Sequence, residues 1–444
     1  MLIRLYIENF LSFGDRQEFS MIPGKSRGLK NHLIEFENKT DINLLKHSVI
    51  YGANASGKSN LVKSFEFFQS FIIEGTKPDE EIKLNLNKLN KKHYNKPARF
   101  EIEFRQADKN YAFGFVADRK KIYEEWLYEI NKTKDKLIYE RENEENGKSK
   151  FIFKNLNLST KESAFLNFVG DGTRDNQLFI TECYQRNIIN NIKNFEPFID
   201  IIDWFSETLT IIFPQSRYRG LIPKIKENKN FSNILTEFLN IFDTGVDGIE
   251  LKEYDLNQIR GLSKSDKNEI LGKLKPESNV IIRDYGYETY LIKRKKEGDV
   301  NTFRVMTKHK VINSDKCEYF ELVEESDGTL RLMDLIPIMS YEFKNKVFVI
   351  DELDRSLHPN LSKKFIELFT ERTQSNKSQL IVTTHESSLL DLKSLRKDEI
   401  WFVTKDDNKQ TELYSLDEFE IRFDKRIRPD YLLGRFGAVP SIKG

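Results

Sequence analysis

The sequence predicts an α/β fold. Near the N-terminus a glycine-rich loop lies between an apolar strand and a helix, and strands alternate with helices again in about the last hundred residues. Between these two regions, a run of alternating apolar and polar positions is typical of an antiparallel sheet. These observations together favour a parallel α/β core to which both ends of the chain contribute, with other elements inserted between them.

The N-terminal region predicts a strand pair, a strand, a loop and a helix, in that order. Apolar residues alternate in Ile3–Phe10 and Leu11–Phe19, as in two paired strands. His47–Tyr51 predicts a short buried strand. Asn60–Glu74 predicts a helix, and Gly75 is a natural end for it.

The loop between that strand and that helix has the pattern G-x-x-x-x-G-K-[ST] of a phosphate-binding P-loop. Its successive backbone N–H groups and the helix N-terminus can surround an anion. We expect Lys58 to reach the β- and γ-phosphates of ATP and Ser59 to place its hydroxyl on Mg²⁺. A chance match in an ordinary turn is the alternative, and the flanking strand and helix argue against it. The predicted nucleotide ligands are Gly52, Asn54, Ala55, Ser56, Gly57, Lys58, Ser59 and Asn60.

The middle of the chain predicts a meander and then a more helical region. The predicted meander strands are Ala98–Phe104, Asn110–Ala117, Lys121–Asn131, Lys136–Arg141 and Phe151–Phe153. Apolar residues at helical spacing follow in Asn176–Asn194, Phe198–Ile212, Asn230–Phe242 and Asp255–Leu274. Strand character returns in Asn279–Ile282, Thr289–Lys293 and Asn301–Lys308.

A second chemical feature follows the apolar strand predicted for Val347–Asp351. Asp351 and Glu352 place two adjacent carboxylates at its end, an arrangement that is costly unless a cation or ligand balances it. We expect Asp351 to help hold Mg²⁺, and Glu352 to orient or deprotonate the attacking water. The alternative is an acidic turn between a strand and a loop.

His385 ends another predicted strand, Gln379–Thr384, which follows a helix over Asn360–Arg372. An imidazole in this position can hydrogen-bond the γ-phosphate of a nucleotide. A lone histidine at a strand end is more often a polar terminus. The order of His385 after Asp351–Glu352 and after Ser356-Leu-His-Pro359 favours the functional interpretation.

This set of motifs resembles the ATP-binding-cassette ATPases, and within them the branch of RecF, the chromosome-maintenance (SMC) and break-repair heads and the overcoming-lysogenization-defect (OLD) family. Gly52–Ser59 matches Walker A and Val347–Asp351 matches Walker B, with Glu352 as the catalytic carboxylate. Leu353–Pro359 matches the D-loop and His385 the switch histidine. The resemblance implies a P-loop NTPase fold of the ABC type, with an antiparallel β subdomain and a helical lobe inserted between Walker A and Walker B.

The resemblance also asks for a signature motif shortly before Walker B, with a serine and a glycine at a helix N-terminus. Ser326-Asp-Gly328 fits the position, although Asp327 replaces the first glycine of the usual pair. An ordinary helix cap is the alternative. In the family this motif completes the site of a second protomer, so the resemblance implies a nucleotide-sandwich dimer or a higher oligomer. The Q-loop glutamine stays unassigned, since neither Gln177 nor Gln185 has a distinctive neighbourhood.

The segment Asp430–Pro440 is similar to the ending of a bacterial subgroup that contains the ATPase halves of two-gene anti-phage systems, such as RloA, AbiLi and the PARIS ATPase. The sequence shows no sustained heptads, and the segment after His385 is too short for an appended nuclease domain. We therefore expect a sensor or scaffold that controls a separately encoded effector, a nuclease by resemblance. A phage protein or DNA is the candidate trigger.

The predicted organisation has three parts. Residues 1–155 would form an N-terminal ATPase lobe, 156–324 a helical insertion lobe, and 325–444 the signature motif with the C-terminal ATPase lobe.

Composition fits a cytosolic protein without a membrane partner. The 444 residues include 39% hydrophobic and 32% charged side chains, and no apolar run approaches the length of a membrane span. The start of the chain lacks the features of a signal peptide. Cys183 and Cys317 make neither a disulfide framework nor a zinc site and suit a reducing compartment.

Two further functions remain open at this point. A RecF-like repair ATPase that binds DNA junctions would need a basic stripe. The net charge of +1, with 71 basic and 70 acidic side chains, does not favour it, and a cluster such as Lys293–Lys296 is more typical of a solvated face. A transporter ATPase is the weaker alternative, because nothing in the sequence marks a docking surface for a membrane subunit.

Overall fold

The computed structural model describes residues 1–26, 28–37, 41–143, 149–192, 195–218, 220–259, 261–283, 289–296, 299–340, 343–421 and 426–439. Parts of two predictions therefore lie outside the described residues, namely Lys193 and Asn194 of a predicted helix and Pro440 of the C-terminal segment. The described residues fall into two compact units. The first comprises Met1–Pro214, Phe343–Asp354 and Ser362–Gly444, and the second Gln215–Glu342 and Arg355–Leu361.

Within the described residues, the strands are β1 (Leu2–Glu8), β2 (Gln17–Ser20), β3 (Leu33–Ile34), β4 (Leu44–Leu45), β5 (His47–Gly52), β6 (Ala98–Gln106), β7 (Lys109–Ala117), β8 (Ile122–Ile130), β9 (Lys136–Asn143), β10 (Ser149–Phe153), β11 (Leu209–Ile212), β12 (Gly248–Tyr254), β13 (Asn279–Arg283), β14 (Thr289–Arg294), β15 (Val300–Lys310), β16 (Cys317–Glu321), β17 (Val347–Ile350), β18 (Gln379–Thr384), β19 (Ile400–Lys405) and β20 (Thr411–Ser415).

The α-helices of the same residues are α1 (Lys58–Ile73), α2 (Thr160–Asp171), α3 (Phe179–Gln185), α4 (Glu196–Asp203), α5 (Leu221–Glu227), α6 (Lys229–Ile241), α7 (Lys264–Lys273), α8 (Asp327–Leu335), α9 (Pro359–Arg372) and α10 (Ile427–Leu432).

The first unit contains a six-stranded sheet with the order β11-β17-β18-β5-β19-β20. The five strands from β11 to β19 are parallel, and β20 is antiparallel to β19. Every residue of β5, β17 and β18 is buried, which explains the apolar run that each of these strands contains. Both ends of the chain build this sheet, as the sequence predicts.

A seven-stranded antiparallel sheet of the order β10-β9-β8-β7-β6-β1-β2 belongs to the same unit. The predicted meander is confirmed as β6 to β10, each strand paired with the next. Aromatic residues of α1 pack on this sheet, with ring centroids 5.2 Å apart for Phe67 and Phe100 and for Phe68 and Phe115. Burial of these rings fixes α1, and therefore the loop that precedes it.

Buried Gln379 connects the two sheets of the first unit. Its Oε1 accepts a 2.6 Å hydrogen bond from the Leu2 N–H of β1, and its Nε2 donates to the carbonyls of Leu2 and Leu45 at 3.0 Å. The amide thus satisfies polar backbone groups that water cannot reach.

The second unit contains a five-stranded antiparallel sheet in which β12, β15, β14 and β13 are adjacent in that order and β16 pairs with β15. Strands β13 to β15 confirm three sequence predictions. The prediction of a helix over Asp255–Leu274 is wrong in extent, since α7 covers Lys264–Lys273 only.

The predicted helix over Phe198–Ile212 is wrong in its second half. Helix α4 ends at Asp203, a π-helical turn covers Trp204–Thr208, and Leu209–Ile212 forms the edge strand β11. A short apolar run is compatible with the periodicity of a helix and with that of a strand. Here the pairing of Leu209–Ile212 with β17 makes it a strand.

Candidate functional site

Three neighbouring parallel strands end at one edge of the six-stranded sheet and bring the predicted motifs together. Strand β18 lies between β17 and β5 and pairs with both. The P-loop follows β5, the pair Asp351–Glu352 follows β17, and His385 follows β18. In open α/β sheets, ligands bind outside the carboxyl ends of the strands, so this edge is where a ligand is expected.

Two glycines shape the loop. A Cβ on Gly52 would lie 2.4 Å from the carbonyl oxygen of Val403, and a Cβ on Gly57 would lie 2.2 Å from Thr411 Oγ1. Gly57 also has a φ of 123°, which side-chain-bearing residues rarely adopt. Gly57 is the N-cap of α1 and makes no side-chain hydrogen bond to the helix. The loop backbone next to the helix N-terminus is therefore suited to surround an anion.

Lys58 begins α1 and its ammonium group is buried at the mouth of the loop. Nζ donates to the carbonyls of Gly52 at 2.7 Å and Ala53 at 3.1 Å, and lies 3.4 Å from His385 Nδ1. Burial lowers the pKa of Lys58 to about 8, although the carboxylates of Asp351, Asp354 and Glu352 oppose this shift. Nearby carboxylates thus favour the charged form of this lysine at the mouth of the loop.

The other predicted loop residues differ in exposure. Asn54 and Ala55 are exposed, and Ala55 has a φ of 61°. Ser56 is buried, and its Oγ is among the buried polar atoms that have no hydrogen-bond partner within the described residues. Ser59 and Asn60 are partly buried on the first turn of α1.

Asp351 and Glu352 share one partner, Thr383 of β18. The Thr383 hydroxyl donates to Asp351 Oδ1 at 2.6 Å and accepts a 2.8 Å hydrogen bond from the Glu352 N–H. Asp351 is buried and Glu352 is partly exposed. Glu352 has a φ of 50°, a left-handed conformation that is uncommon outside glycine and asparagine and recurs at functional sites.

His385 lies beside the P-loop lysine. Because the Lys58 ammonium can only donate, the 3.4 Å contact assigns His385 Nδ1 as an acceptor and its Nε2 as the protonated nitrogen. Burial and then the charge of Lys58 lower the pKa of His385, which favours this neutral tautomer. The His385 N–H is 3.3 Å from both carboxylate oxygens of Asp354.

Sequence reasoning missed the residues that hold these motifs in place. Thr411 Oγ1 lies 2.8 Å from the carbonyl oxygen of Ser56 and 2.6 Å from Ser12 Oγ, and Asn60 Nδ2 donates to Ser12 Oγ at 2.7 Å. Thr383 is the other residue missed. The position of Thr383 two residues before His385 indicates that it lies near the site. Nothing in the local sequence marks Thr411, which lies in the edge strand β20.

Ser326 and Gly328 belong to the second unit. Ser326 is the N-cap of α8, and its Oγ accepts a 3.1 Å hydrogen bond from the Thr329 N–H. A Cβ on Gly328 would lie 2.8 Å from the carbonyl oxygen of Ser356, so the predicted signature and D-loop backbones approach closely. Ser326 is therefore a helix cap, as the alternative interpretation predicts. A role of Ser326 and Gly328 in nucleotide binding stays a prediction.

The two glutamines considered for the Q-loop lie at the far end of α1. Gln177 Oε1 accepts from the Thr76 N–H at 2.8 Å, and Gln185 Nε2 donates to the Glu74 carbonyl at 2.7 Å. A 16-residue helix is roughly 24 Å long, so neither amide is near the P-loop.

A family model described as "AAA domain, putative AbiEii toxin, Type IV TA system" matches residues 48–391. The match covers most of the chain and contains the P-loop, Asp351, Glu352 and His385. The chain belongs to this family. Together with the strand order around β5, this match confirms the predicted fold class, an ABC-type P-loop ATPase fold.

Individual proteins are similar at low identity. The "Probable ABC transporter ATP-binding protein p29" of Mesomycoplasma hyorhinis is 23% identical over 253 residues, which are 54% of this chain and 77% of that protein. The SMC head domain from Thermotoga maritima has a TM-score of 0.38 at 13% identity and covers 95% of this chain and 99% of its own. An SmcHead bound to the C-winged helix domain of ScpA has a TM-score of 0.42 at 14% identity, with coverages of 93% and 97%.

The family and the site agree on the coarse chemistry: this is an AAA-domain protein with a P-loop, an adjacent acid pair and a histidine at one edge of its parallel sheet. None of the described helices combines the length and the apolar character that crossing a bilayer requires.

Proposed function

We propose that this protein binds and hydrolyses ATP at the edge formed by β5, β17 and β18. One observation carries the proposal: a P-loop lysine, a pair of adjacent acids and a histidine converge there from three separate segments, with Lys58 Nζ 3.4 Å from His385 Nδ1. The loop between Gly52 and Gly57 suits a phosphate chain, because both glycines pack too closely on Val403 and Thr411 to carry a side chain, which leaves the loop backbone to bind the anion.

The residues divide the work of phosphoryl transfer. Lys58 and the N-terminus of α1 neutralise the phosphates and hold them in position. Glu352 orients the attacking water and accepts its proton, while His385 donates a hydrogen bond from Nε2 to the γ-phosphate. Ser59 and Asp351 carry oxygen donors of the kind that Mg²⁺ prefers and would hold the ion, which would supply positive charge to offset that of the phosphates.

ATP hydrolysis is tested by phosphate release from the purified protein and from its Glu352→Gln variant. The variant should bind ATP with the affinity of the wild type and lose about 100-fold or more in turnover, as expected when a general base is removed. If Glu352→Gln hydrolyses ATP as fast as the wild type, Glu352 is not the base.

We further propose that ATP closes a dimer in which Ser326 and Gly328 of one protomer meet the γ-phosphate held by the other. Support comes from α8, because Ser326 places a hydroxyl and a helix N-terminus next to each other. The close approach of Gly328 to Ser356 supports the same role, since it places the D-loop backbone against the signature motif.

In the cell, we propose that this closure controls a separately encoded effector, a nuclease, in anti-phage defence. The family description supports the proposal, because it names a toxin of a toxin–antitoxin system. Phage plating on cells that carry the whole locus tests it. Lys58→Ala and Glu352→Gln should each abolish protection at unchanged protein level, and unchanged protection would contradict the proposal.

The name of the mycoplasma relative favours a second candidate, the ATP-binding subunit of a transporter. Fractionation distinguishes the two. A transporter subunit would co-sediment with membranes through a partner, whereas the defence ATPase should stay in the supernatant together with its effector.

A further inference from the structure

Three buried side chains outside the nucleotide site point their ligand atoms at one another. They are His32, His47 at the start of β5, and Glu399 just before β19, and their nitrogen and oxygen atoms lie within 4.8 Å of one another. His32 Nδ1 is 3.0 Å from Glu399 Oε1, and His47 Nε2 is 3.4 Å from Glu399 Oε2. Side-chain exposure is 8% for His32 and lower for the other two.

The hydrogen bonds around His47 leave its Nε2 in need of a partner. The Thr370 hydroxyl donates to the Ile366 carbonyl at 2.8 Å, so at its 3.4 Å contact with His47 Nδ1 it can only accept. Nδ1 therefore carries the proton. In the neutral ring, the Nε2 lone pair then faces the carboxylate of Glu399 with no hydrogen bond within the described residues. Two acceptors facing each other in a dry interior are unfavourable unless a cation lies between them.

We propose that His32, His47 and Glu399 form a Zn²⁺ site. Two imidazoles and one carboxylate are a common zinc donor set, and bonds of about 2.0–2.1 Å place tetrahedral ligands roughly 3.3 Å apart. Glu399 Oε2 is 3.1 Å from His32 Nδ1 and 3.4 Å from His47 Nε2, and both separations match that spacing.

The surroundings supply the hydrogen bonds that zinc ligands usually have. Thr370 orients the His47 ring through Nδ1. The Arg396 N–H donates to Glu399 Oε2 at 2.7 Å, which fixes the carboxylate. Such outer partners set the tautomer and orientation of zinc ligands.

A cavity of about 200 Å³ lies beside the cluster, and His32 and Thr370 are part of its lining. Three protein ligands leave one position of a tetrahedral ion for water or a substrate group. His47 and the P-loop are at opposite ends of β5, roughly 16 Å apart, so the zinc site is separate from the nucleotide site. A zinc ion bound to His47 and Glu399 would connect the start of β5 with the start of β19.

The test is metal uptake by the full-length protein, first stripped with a chelator and kept free of nucleotide. Cobalt reports geometry, because tetrahedral Co²⁺ has strong visible d–d absorption. Zinc affinity is measured by competition with a chromophoric chelator. We expect one equivalent of either metal, a loss of affinity of about 100-fold or more in His47→Ala and Glu399→Gln, and a loss of about 10-fold in Thr370→Val.

Two variants serve as controls. His309 makes a single histidine–carboxylate pair with Glu325 at 2.7 Å, so His309→Ala should bind zinc as the wild type does. Asp351→Asn should also retain it, since Asp351 belongs to the nucleotide site.

The cobalt spectrum needs no variant, so the proposal remains testable if His47→Ala fails to fold. A wild type that takes up no tetrahedral Co²⁺ would overturn the zinc site. Retention of full affinity in His47→Ala would overturn it as well, as would loss of zinc in Asp351→Asn.

Discussion

The hydroxyl of Thr383 donates a 2.6 Å hydrogen bond to Oδ1 of Asp351, and the same hydroxyl accepts from the N–H of Glu352. One side chain on β18 therefore fixes both acids that follow β17. Asp351 is buried with its carboxylate on this hydroxyl, whereas Glu352 contacts the hydroxyl through its backbone N–H and has a partly exposed side chain.

Thr383→Val should lower both stability and activity. Valine keeps the shape and removes the donor of a buried carboxylate, at a cost of about 1–3 kcal/mol in the free energy of unfolding. Loss of a partner of a metal ligand should lower kcat by about 10–100-fold. Thermal melting and ATP turnover measure the two effects. Thr383→Ser keeps the hydroxyl and should stay near wild type; if valine does too, Thr383 does not organise the site.

ATP affinity should fall as pH rises above about 8, because burial lowers the pKa of Lys58 to about 8 in the free protein. Below that pH the ammonium is present and affinity does not depend on this group. Above it, binding must first add a proton, and affinity falls by up to about tenfold per pH unit. Calorimetric titrations from about pH 7 to 9.5 measure the slope. Lys58→Arg stays charged throughout and should give a flat profile; equal slopes would contradict the assignment to Lys58.

Gly57→Ala should abolish ATP binding. A Cβ there would lie 2.2 Å from Thr411 Oγ1, and the φ of 123° strains any side-chain-bearing residue. Gly272 in α7 has open space around it, so Gly272→Ala should be neutral or stabilise by up to about 1 kcal/mol. Nucleotide affinity and melting temperature report both variants. Normal ATP binding by Gly57→Ala would show that the loop does not hold the phosphates in this conformation.

Ser326→Asp separates a helix cap from a role at the γ-phosphate. Aspartate caps helices as well as serine, so stability should change little. Its charge would repel the triphosphate of a second protomer, so ATP should no longer dimerise the Glu352→Gln protein, as measured by light scattering. Ser263 caps α7 in the same way, and Ser263→Asp should leave dimerisation intact. If the Ser326→Asp protein still dimerises with ATP, Ser326 acts as a helix cap and has no role at the γ-phosphate.

Local sequence was sufficient for the P-loop, because its glycines, lysine and serine act through backbone conformation within a few residues. The strands β5, β17 and β18 were also predictable, since strands buried on both faces are continuously apolar. Leu209–Ile212 was wrongly assigned to a helix because its partner β17 is far along the chain. Ser12, Thr411 and the cluster around Glu399 were missed for the same reason.

The most direct test of the account is a crystal structure of the Glu352→Gln protein grown with Mg²⁺ and ATP. We expect the triphosphate on the loop between Gly52 and Ser59, the metal on Ser59 and Asp351, and Ser326 of the partner subunit at the γ-phosphate. A triphosphate bound elsewhere on the protein would contradict the account, and so would a metal that Asp351 does not contact.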